Sequence, residues 1–364
     1  MSQKRLIIFI PSIEGGGVEK NLFLISDYLT KKIDNISVIT ISKRFKNHFN
    51  RRINFISPKL KFWDTLGRRK KFILSLFLLF FEILKNRHLT VLCFQGNIYC
   101  TLLCKLMGVT VIVRSNSAPE GWSQNLFKFL CFKYIFKLAD EIIVNSQDFK
   151  KKFKKKFNLV SLCIYNPLNK KEIIKKSKIK SKLKFDKKKI NLINVARFTD
   201  QKDQITLLRA TKIIRDKLNF NLLIVGYGKK KNYLNNYINE NNLQKNVQII
   251  PYQNNPFNLI NSSDIFILTS IFEGLPNVLL EAQVLKKFII SSNCPTGPRE
   301  ILLNGKAGFL FKMRDHKSLA KIILKCVKNK KIMNNKIKIG YKNLGRFDYI
   351  NNLNKYYQTV IKYL

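Results

Sequence analysis

The amino-acid sequence is poor in acidic residues: 22 Asp and Glu stand against 68 Lys and Arg, which gives a formal net charge of +46. A basic excess of this size attracts polyanions such as nucleic acid, anionic membranes and phosphorylated ligands. The excess is spread along a chain that is also rich in Asn and Ile, so charge alone does not choose among these partners.

Residues that hold metals or form disulfide frameworks are also scarce. The seven Cys form no Cys-x-x-Cys pair, and the three His (His48, His88 and His316) stand alone, so neither a zinc site nor a disulfide framework is expected. The first apolar run, 6–10, is too short for the core of a secretory signal. We therefore expect a reduced cytoplasmic protein that holds no metal.

The length and pattern of the chain predict two α/β domains. At 364 residues it exceeds the usual range of a single core, and apolar residues make up 46%. Short strand-like runs alternate with helical segments, which predicts parallel doubly wound sheets. The predicted strands are 6–10, 36–41, 90–94, 109–113 and 141–144 in the first half, and 190–195, 221–225, 247–250, 265–268 and 288–291 in the second.

A lysine-rich stretch separates the two series of strands. We predict an N-terminal domain at 1–168, a linker at 169–189, a C-terminal domain at 190–345 and a final helix at 346–364. Two such domains facing each other form a cleft at the carboxyl ends of their strands, where open α/β sheets bind ligands.

The most informative segment of the second domain is predicted to run from a strand through a loop into a helix. It has two carboxylates, Glu273 in the loop and Glu281 about a turn inside the helix. Gly274 lets the backbone approach a ligand closely, and Pro276 suits a first helical position before amides that form an anion site. A ligand seated at this helix start could meet Glu273 at one end and Glu281 at the other, which fits the shape of a nucleotide sugar. Alternatively, Glu273 is a helix-dipole partner and Glu281 is a solvated helix residue.

This segment, Phe272–Glu281, and the following stretch Ser291–Leu302 resemble the signature of the retaining GT-B glycosyltransferases of the family-4 type. The resemblance implies two Rossmann-like domains that face a cleft. It also implies that Glu273 faces the donor sugar and that Glu281 holds the ribose hydroxyls. The donor would then lie against Gly274, Leu275, Pro276 and Asn277.

Two cations follow the first strand of the second domain. Arg197 and Lys202 lie on a loop that would face the cleft, where they could neutralise a diphosphate or, alternatively, form an ordinary solvated pair. The resemblance implies that both grip the donor diphosphate as it leaves. Fixed cations lower the barrier to that step, and the sequence has no Asp-x-Asp pair, so we expect catalysis without a metal. The expected donor is a UDP-sugar.

Two glycine-containing turns follow predicted strands. Gly15-Gly16-Gly17 leads from the first strand into a helix, and it is either a tight turn or, as the resemblance implies, a loop near the donor phosphate and the acceptor, through Gly16 and Gly17. It lacks the full dinucleotide fingerprint, so a nicotinamide enzyme is not expected. Gly226-Tyr227-Gly228 is interpreted as a turn that borders the nucleotide base.

The first domain departs from the family in one place. Where many members have a His near the transferred sugar, this chain has Arg114-Ser115-Asn116. Asn116 would supply a polar contact instead, as in the subgroup that acts on N-acetylated hexosamines in surface glycans. Glu120 is a candidate for acceptor handling or, alternatively, a simple loop carboxylate.

Two segments of the first domain mix basic and apolar residues. Arg68-Arg69-Lys70-Lys71 precedes the apolar run 72–81, which is about half of the roughly 20 residues needed to span a bilayer. The segment 127–137 has a similar character. Each is either a core helix or an interfacial helix on an anionic membrane surface.

Together these features predict a retaining hexosyltransferase that moves a hexose or N-acetylhexosamine from a nucleotide sugar to a glycan acceptor. A lipid-linked acceptor in surface-polysaccharide synthesis would place the enzyme peripherally on the cytoplasmic face of the inner membrane. Two alternatives stay open: a sugar-nucleotide epimerase on the same fold, and a basic nucleic-acid-binding protein, although no nucleic-acid module is recognised and no such partner is expected.

Overall fold

The computed structural model describes residues 4–116, 125–181, 183, 185–186 and 188–364. They divide into two compact units. The first unit comprises Met1–Pro167 and Tyr349–Leu364, and the second comprises Leu168–Asp348.

The first unit is built on a seven-stranded parallel sheet with the order β3-β2-β1-β4-β5-β6-β7. Its elements in chain order are β1 (Arg5–Phe9), α1 (Gly17–Leu29), β2 (Ile36–Ile39), β3 (Asn54–Ile56), α2 (Arg68–Lys85), β4 (Leu89–Cys93), α3 (Asn97–Leu106), β5 (Thr110–Ser115), α4 (Leu126–Lys137), β6 (Glu141–Val144), α5 (Gln147–Phe157) and β7 (Leu162–Cys163).

The second unit has a six-stranded parallel sheet with the order β10-β9-β8-β11-β12-β13. Its elements are α6 (Lys170–Ser177), β8 (Ile190–Val195), α7 (Gln204–Ile214), β9 (Phe220–Val225), α8 (Lys231–Glu240), β10 (Val247–Ile250), α9 (Phe257–Ser262), β11 (Ile265–Leu268), α10 (Asn277–Val284), β12 (Phe288–Ser292), α11 (Pro298–Ile301), β13 (Phe309–Phe311), α12 (His316–Lys328) and α13 (Lys330–Lys342). The last helix of the chain, α14 (Tyr349–Ile361), belongs to the first unit.

Both faces of the first unit's sheet are covered, as expected for parallel strands whose side chains are apolar on both sides. In β1, Leu6 and Ile8 pack with residues of α1 and α14, whereas Ile7 and Phe9 pack with residues of α2, α3, α4 and α5. The four helices α2 to α5 therefore lie on one face of the sheet, and α1 and α14 lie on the other.

The predicted fold class, two doubly wound parallel α/β domains, is confirmed by these two sheets. Three short strands were not predicted: β3, β7 and β13 have only two or three residues each, too few to show a periodic pattern. The segment 169–189, predicted to be a linker, contains α6 and is part of the second unit.

A buried arginine ties α14 to the first unit. The Arg114 side chain is fully buried; its Nε donates to the Tyr356 hydroxyl at 2.7 Å, and its Nη2 donates to Asn166 Oδ1 at 2.7 Å. The guanidinium also lies 5.3 Å from the centre of the Phe94 ring. Burial raises the pKa of Tyr356, so its hydroxyl stays protonated while it accepts from Arg114.

The Tyr356→Phe variant is expected to lose about 1.5–3 kcal/mol of unfolding free energy, because it leaves a buried guanidinium N–H without its acceptor. Urea unfolding followed by circular dichroism measures the change. Tyr357→Phe, on the half-buried side of the same helix, is the matched control. Equal destabilisation by the two variants would contradict the assigned role of Tyr356.

Candidate active site

The loops that follow β8 and β11 lie side by side, because these two strands are neighbours in the second sheet. The Ile271 amide donates to the carbonyl of Gln201 at 2.8 Å, and Gln201 Nε2 donates to the carbonyl of Phe272 at 2.9 Å. The Thr269 hydroxyl donates to the carbonyl of Lys202 at 2.8 Å. The backbone at Lys202 is therefore fixed against the loop that carries Glu273.

A partly buried ion pair joins the two loops. Lys202 Nζ lies 2.5 Å from Glu273 Oε1, and the two side chains are only 15% and 8% exposed. The Ser270 hydroxyl donates to the same carboxylate oxygen at 2.6 Å. Two predicted site residues from distant parts of the sequence are thus in direct contact.

The loop after β12 braces the segment that begins at Glu273. The Glu273 amide donates to the carbonyl of Pro295 at 2.6 Å, and the Thr296 amide donates back to the carbonyl of Glu273 at 3.1 Å. The Thr296 hydroxyl lies 3.1 Å from the carbonyl oxygen of Gly274. Gly297 has φ of +87°, and a Cβ there would lie 2.2 Å from the same Gly274 oxygen, so this close approach requires glycine.

Helix α10 carries the second predicted carboxylate. Pro276 is its N-cap and Asn277 its first residue, so the prediction that Pro276 is the first helical residue is wrong by one position. Glu281 is 5% exposed and its helical neighbours Leu280 and Ala282 are buried. A solvated surface role for Glu281 is therefore ruled out.

Arg197 lies two residues after the end of β8 and is half-buried. Its carbonyl accepts from Gln204 Nε2 at 2.9 Å, and the next residue, Phe198, donates its amide to the carbonyl of Tyr227 at 2.7 Å. A Cβ on Gly226 would lie 1.9 Å from the carbonyl oxygen of Ala196. The Gly226–Gly228 turn therefore serves close packing against the loop of Arg197.

The position of these loops matches a general feature of open α/β sheets. The chain runs outward from β8 to β10 on one side and from β11 to β13 on the other, so the order of strands reverses between β8 and β11. Loops at such a switch point diverge and leave a crevice where ligands bind. Arg197, Lys202, Glu273 and the start of α10 all border this point.

Cys294 is a buried thiol near the ion pair. Burial raises its pKa to about 12, and the negative charge of Glu273 contributes to the rise. Sequence reasoning assigned no role to Cys294 or to the positioning residues Ser270 and Thr296. The one available signal was the location of these residues, since all three lie in loops that follow β11 or β12.

In the glycine turn of the first unit, two backbone amides donate to a carboxylate of the chain itself. The Gly16 amide donates to Glu19 Oε2 at 2.9 Å, and the Glu14 amide donates to Glu19 Oε1 at 3.3 Å. Glu19 is 6% exposed, so a carboxylate of the chain itself occupies the start of α1, where Gly17 is the first residue. The roles of Gly16 and Gly17 toward a ligand stay predictions.

Asn116 follows β5 in the first unit. Its Nδ2 donates to the carbonyl of Phe94 at 2.8 Å, while its Oδ1 is buried without a hydrogen-bond partner. That unsatisfied oxygen is compatible with the predicted polar contact to a substrate. Glu120 lies outside the described residues.

Within the described ranges, no group of three or more His, Cys, Asp or Glu side chains is placed to hold a metal ion. In the same part of the chain, every helix is too short or too polar to cross a lipid bilayer.

Residues 175–343 match the family model described as glycosyl transferases group 1. An uncharacterized glycosyltransferase of Methanocaldococcus jannaschii is 37% identical over 198 residues, 51% of this chain and 48% of that protein. The chain thus spans about half the length of this relative.

A Campylobacter jejuni protein is similar over a longer range. This N-acetylgalactosamine-N,N'-diacetylbacillosaminyl-diphospho-undecaprenol 4-alpha-N-acetylgalactosaminyltransferase is 25% identical over 361 residues, which cover 92% of this chain and 94% of the relative. Among solved structures, Anabaena HepE in complex with UDP-glucose superimposes with a TM-score of 0.80 and 16% identity, covering 99% of this chain and 100% of that one. The likeness to HepE establishes the GT-B fold.

The position of Glu273 near Cys294 can be tested through the reactivity of the Cys294 thiol. At about pH 8, a thiol with a pKa near 12 has roughly 1,000-fold less thiolate than an ordinary cysteine, so Cys294 is expected to alkylate far more slowly than the half-exposed Cys131. Glu273→Gln removes a negative charge that raises this pKa, so it is expected to accelerate alkylation of Cys294. Peptide-level mass spectrometry after iodoacetamide treatment gives each rate.

Cys326 is the internal control, since burial alone raises its pKa to about 12 and Glu273 does not contribute. Its rate is expected to be the same in both proteins. If Cys294 and Cys326 respond equally to Glu273→Gln, the assigned proximity of Glu273 and Cys294 is incorrect.

Proposed function

We propose that this chain is a retaining glycosyltransferase that moves a hexose or N-acetylhexosamine from a nucleotide diphosphate sugar to a lipid-linked glycan acceptor. The match of residues 175–343 to the glycosyl transferases group 1 model and the GT-B fold support sugar transfer. The observation that carries the proposal is the Lys202–Glu273 pair, fixed between the ends of β8 and β11 beside the start of α10.

The cations act on the leaving group. When the bond between the anomeric carbon and the phosphate oxygen breaks, its electron pair goes to the nucleoside diphosphate. Lys202, Arg197 and the positive end of α10 are proposed to stabilise that charge, which they can do without reorganisation because their loops are already fixed. A divalent metal is then not needed for charge neutralisation.

Glu273 acts on the sugar. As the leaving group departs, positive charge develops at the anomeric centre, as in other glycosyl transfers. A carboxylate held in a partly buried loop stabilises that charge more strongly than one in water would. Glu281, farther along α10, is proposed to accept hydrogen bonds from the ribose hydroxyls.

The acceptor hydroxyl enters on the face that the diphosphate leaves. Retention requires this geometry, and it places the hydroxyl next to the departing phosphate oxygen. A new bond forms between the hydroxyl oxygen and the anomeric carbon, and the hydroxyl proton passes to that phosphate oxygen. The leaving group therefore serves as the base, and no separate side-chain base is required.

The similar proteins support the proposed donor and acceptor. HepE was solved with UDP-glucose, which supports a UDP-sugar as donor. The name of the Campylobacter protein specifies a diphospho-undecaprenol acceptor and transfer of N-acetylgalactosamine, which support a lipid-linked acceptor and an N-acetylhexosamine. With such an acceptor, the proposed enzyme would act in surface-glycan synthesis at the cytoplasmic face of the inner membrane.

The Lys202→Ala and Arg197→Ala variants are each expected to lose about 100- to 1,000-fold in kcat/KM, because each removes one fixed charge from the leaving diphosphate. Transfer of radiolabelled sugar from a panel of UDP-sugars to a diphosphate-linked lipid glycan measures this. Lys245→Ala, an exposed lysine of the same unit, is the control. Near-normal turnover in both site variants would refute the assignment, and conversion of the donor to an epimeric nucleotide sugar without acceptor would indicate an epimerase.

The role of Glu281 can be tested by binding. Glu281→Gln is expected to weaken UDP binding by about 10- to 100-fold, since hydrogen bonds to a charged acceptor are lost. The affinity of the wild-type protein should fall by a similar factor when UDP is replaced by 2′,3′-dideoxyuridine diphosphate. The affinity of the variant should be nearly the same for the two nucleotides. Isothermal titration calorimetry gives all four affinities, with Glu240→Gln on the exposed end of α8 as control.

If Glu281→Gln still discriminates between the two nucleotides as strongly as the wild type does, Glu281 does not hold the ribose.

A further inference from the structure

Helix α2 has apolar residues on both of its sides. Its inward side buries Ser75, Leu79 and Ile83 against the sheet of the first unit. Its outward side, about half a turn away, is apolar as well. The outward residues, each between 51% and 57% exposed, are Ile73, Phe77, Phe81 and Leu84.

The two neighbouring helices repeat this feature. α3 contacts α2, and α4 contacts α3, on the same face of the sheet. Both present large apolar side chains on the sides that point away from the core. These residues, between 38% and 77% exposed, are Tyr99, Leu102 and Leu106 on α3, Leu126, Phe127, Leu130 and Tyr134 on α4, and Leu138 directly after α4. We call the outward sides of α2, α3 and α4 the apolar face.

Positive charge borders the apolar face at both ends. Arg68, Arg69 and Lys70 are exposed at the start of α2. At the other end α5 packs beside α4, with the Phe129 and Phe157 rings 5.4 Å apart. α5 places six lysines at 150–152 and 154–156, so we call it the lysine helix.

Acidic residues are almost absent from these four helices. Their sequences contain fifteen Lys or Arg but only Glu82 and Asp148 as acids. Glu82 is buried and paired, with one carboxylate oxygen 2.8 Å from Arg5 Nη1 and the other 2.7 Å from Lys85 Nζ. The surface formed by α2 to α5 therefore combines exposed apolar groups with a strong positive field.

We propose that the apolar face and the lysine helix together form a docking surface for an anionic lipid bilayer. Apolar side chains that enter the acyl boundary and lysines that meet anionic headgroups are the two components of interfacial binding, and both are present. The proposal extends the two interfacial segments predicted from the sequence by adding α3 and α5. It uses no residue of the candidate active site and stands independently of the proposed reaction.

Charge argues against the other occupants of such a surface. A second copy of the chain would bring an equally basic surface into contact with this one, and like charges at an interface repel. A soluble polyanion would satisfy the lysines but would leave the exposed apolar side chains in water. A lipid surface with anionic headgroups complements both.

Vesicle co-sedimentation of the full-length protein tests the proposal. Binding to phosphatidylcholine vesicles that contain phosphatidylglycerol is expected to exceed binding to pure phosphatidylcholine by at least about tenfold, and to weaken as salt rises. Phe77→Ser combined with Phe81→Ser, and separately Lys151→Glu combined with Lys155→Glu, should each reduce partitioning by about tenfold or more.

Two control pairs match these changes in chemistry. Ile350→Ser with Ile361→Ser alters exposed apolar residues of α14, on the opposite face of the same sheet. Lys321→Glu with Lys328→Glu alters exposed lysines of α12 in the second unit. Partitioning of the apolar control should be unchanged, and that of the lysine control should fall by less than about twofold, because only general charge is lost.

Three results would overturn the proposal. The first is equal binding to neutral and anionic vesicles. The second is equal loss of binding in the test pairs and their controls. The third is a dimer, seen by light scattering, that Phe77→Ser with Phe81→Ser abolishes, since the occupant would then be a second copy. Transfer to a short soluble acceptor should be unchanged in every pair, which separates a failed docking surface from a failed enzyme.

Discussion

The ion pair between Lys202 and Glu273 is the interaction on which the candidate site depends. Removing a charged group from water costs several kcal/mol, so a partly buried carboxylate needs a partner or it loses its charge. Lys202 and Ser270 are these partners, since both donate to the same carboxylate oxygen of Glu273. The same contact holds the Lys202 ammonium in place before any ligand arrives. The pair thus joins the two loops and keeps a cation at a fixed place in the candidate site.

The topology of the sheet explains why these residues meet. Lys202 and Glu273 are 71 positions apart in the sequence, yet β8 and β11 are adjacent and parallel, so both loops emerge at the same edge. The bracing loop with Thr296 follows β12, the next strand along. Three consecutive carboxyl ends therefore form the site. The first sheet has its own reversal between β1 and β4, and the Gly15–Gly17 turn follows β1 there.

The sequence predicted the strands well because they are runs of buried apolar residues, and β6, β8, β10 and β11 have the predicted bounds. The sequence could not show that Glu281 is buried, because the pattern of apolar residues in a helix of eight residues does not determine whether a single acidic residue faces the core or the solvent. It also could not show that Glu19 reaches back to the Gly16 amide, since that contact depends on the turn before α1. Ser270 and Thr296 acquire their roles through tertiary contacts, for which the sequence has no local signal.

The exposed apolar side chains on the outward surface of the first unit are not needed for folding. A helix that covers a sheet needs one apolar side, and α5 shows that pattern, with Phe149, Phe153 and Phe157 buried and lysines between them. α2, α3 and α4 have a second apolar side. Side chains there stay between 38% and 77% exposed, and exposed clusters of this kind favour aggregation when nothing covers them. A surface that is costly to the isolated protein and bordered by lysines is best explained by an anionic, partly apolar partner that covers it.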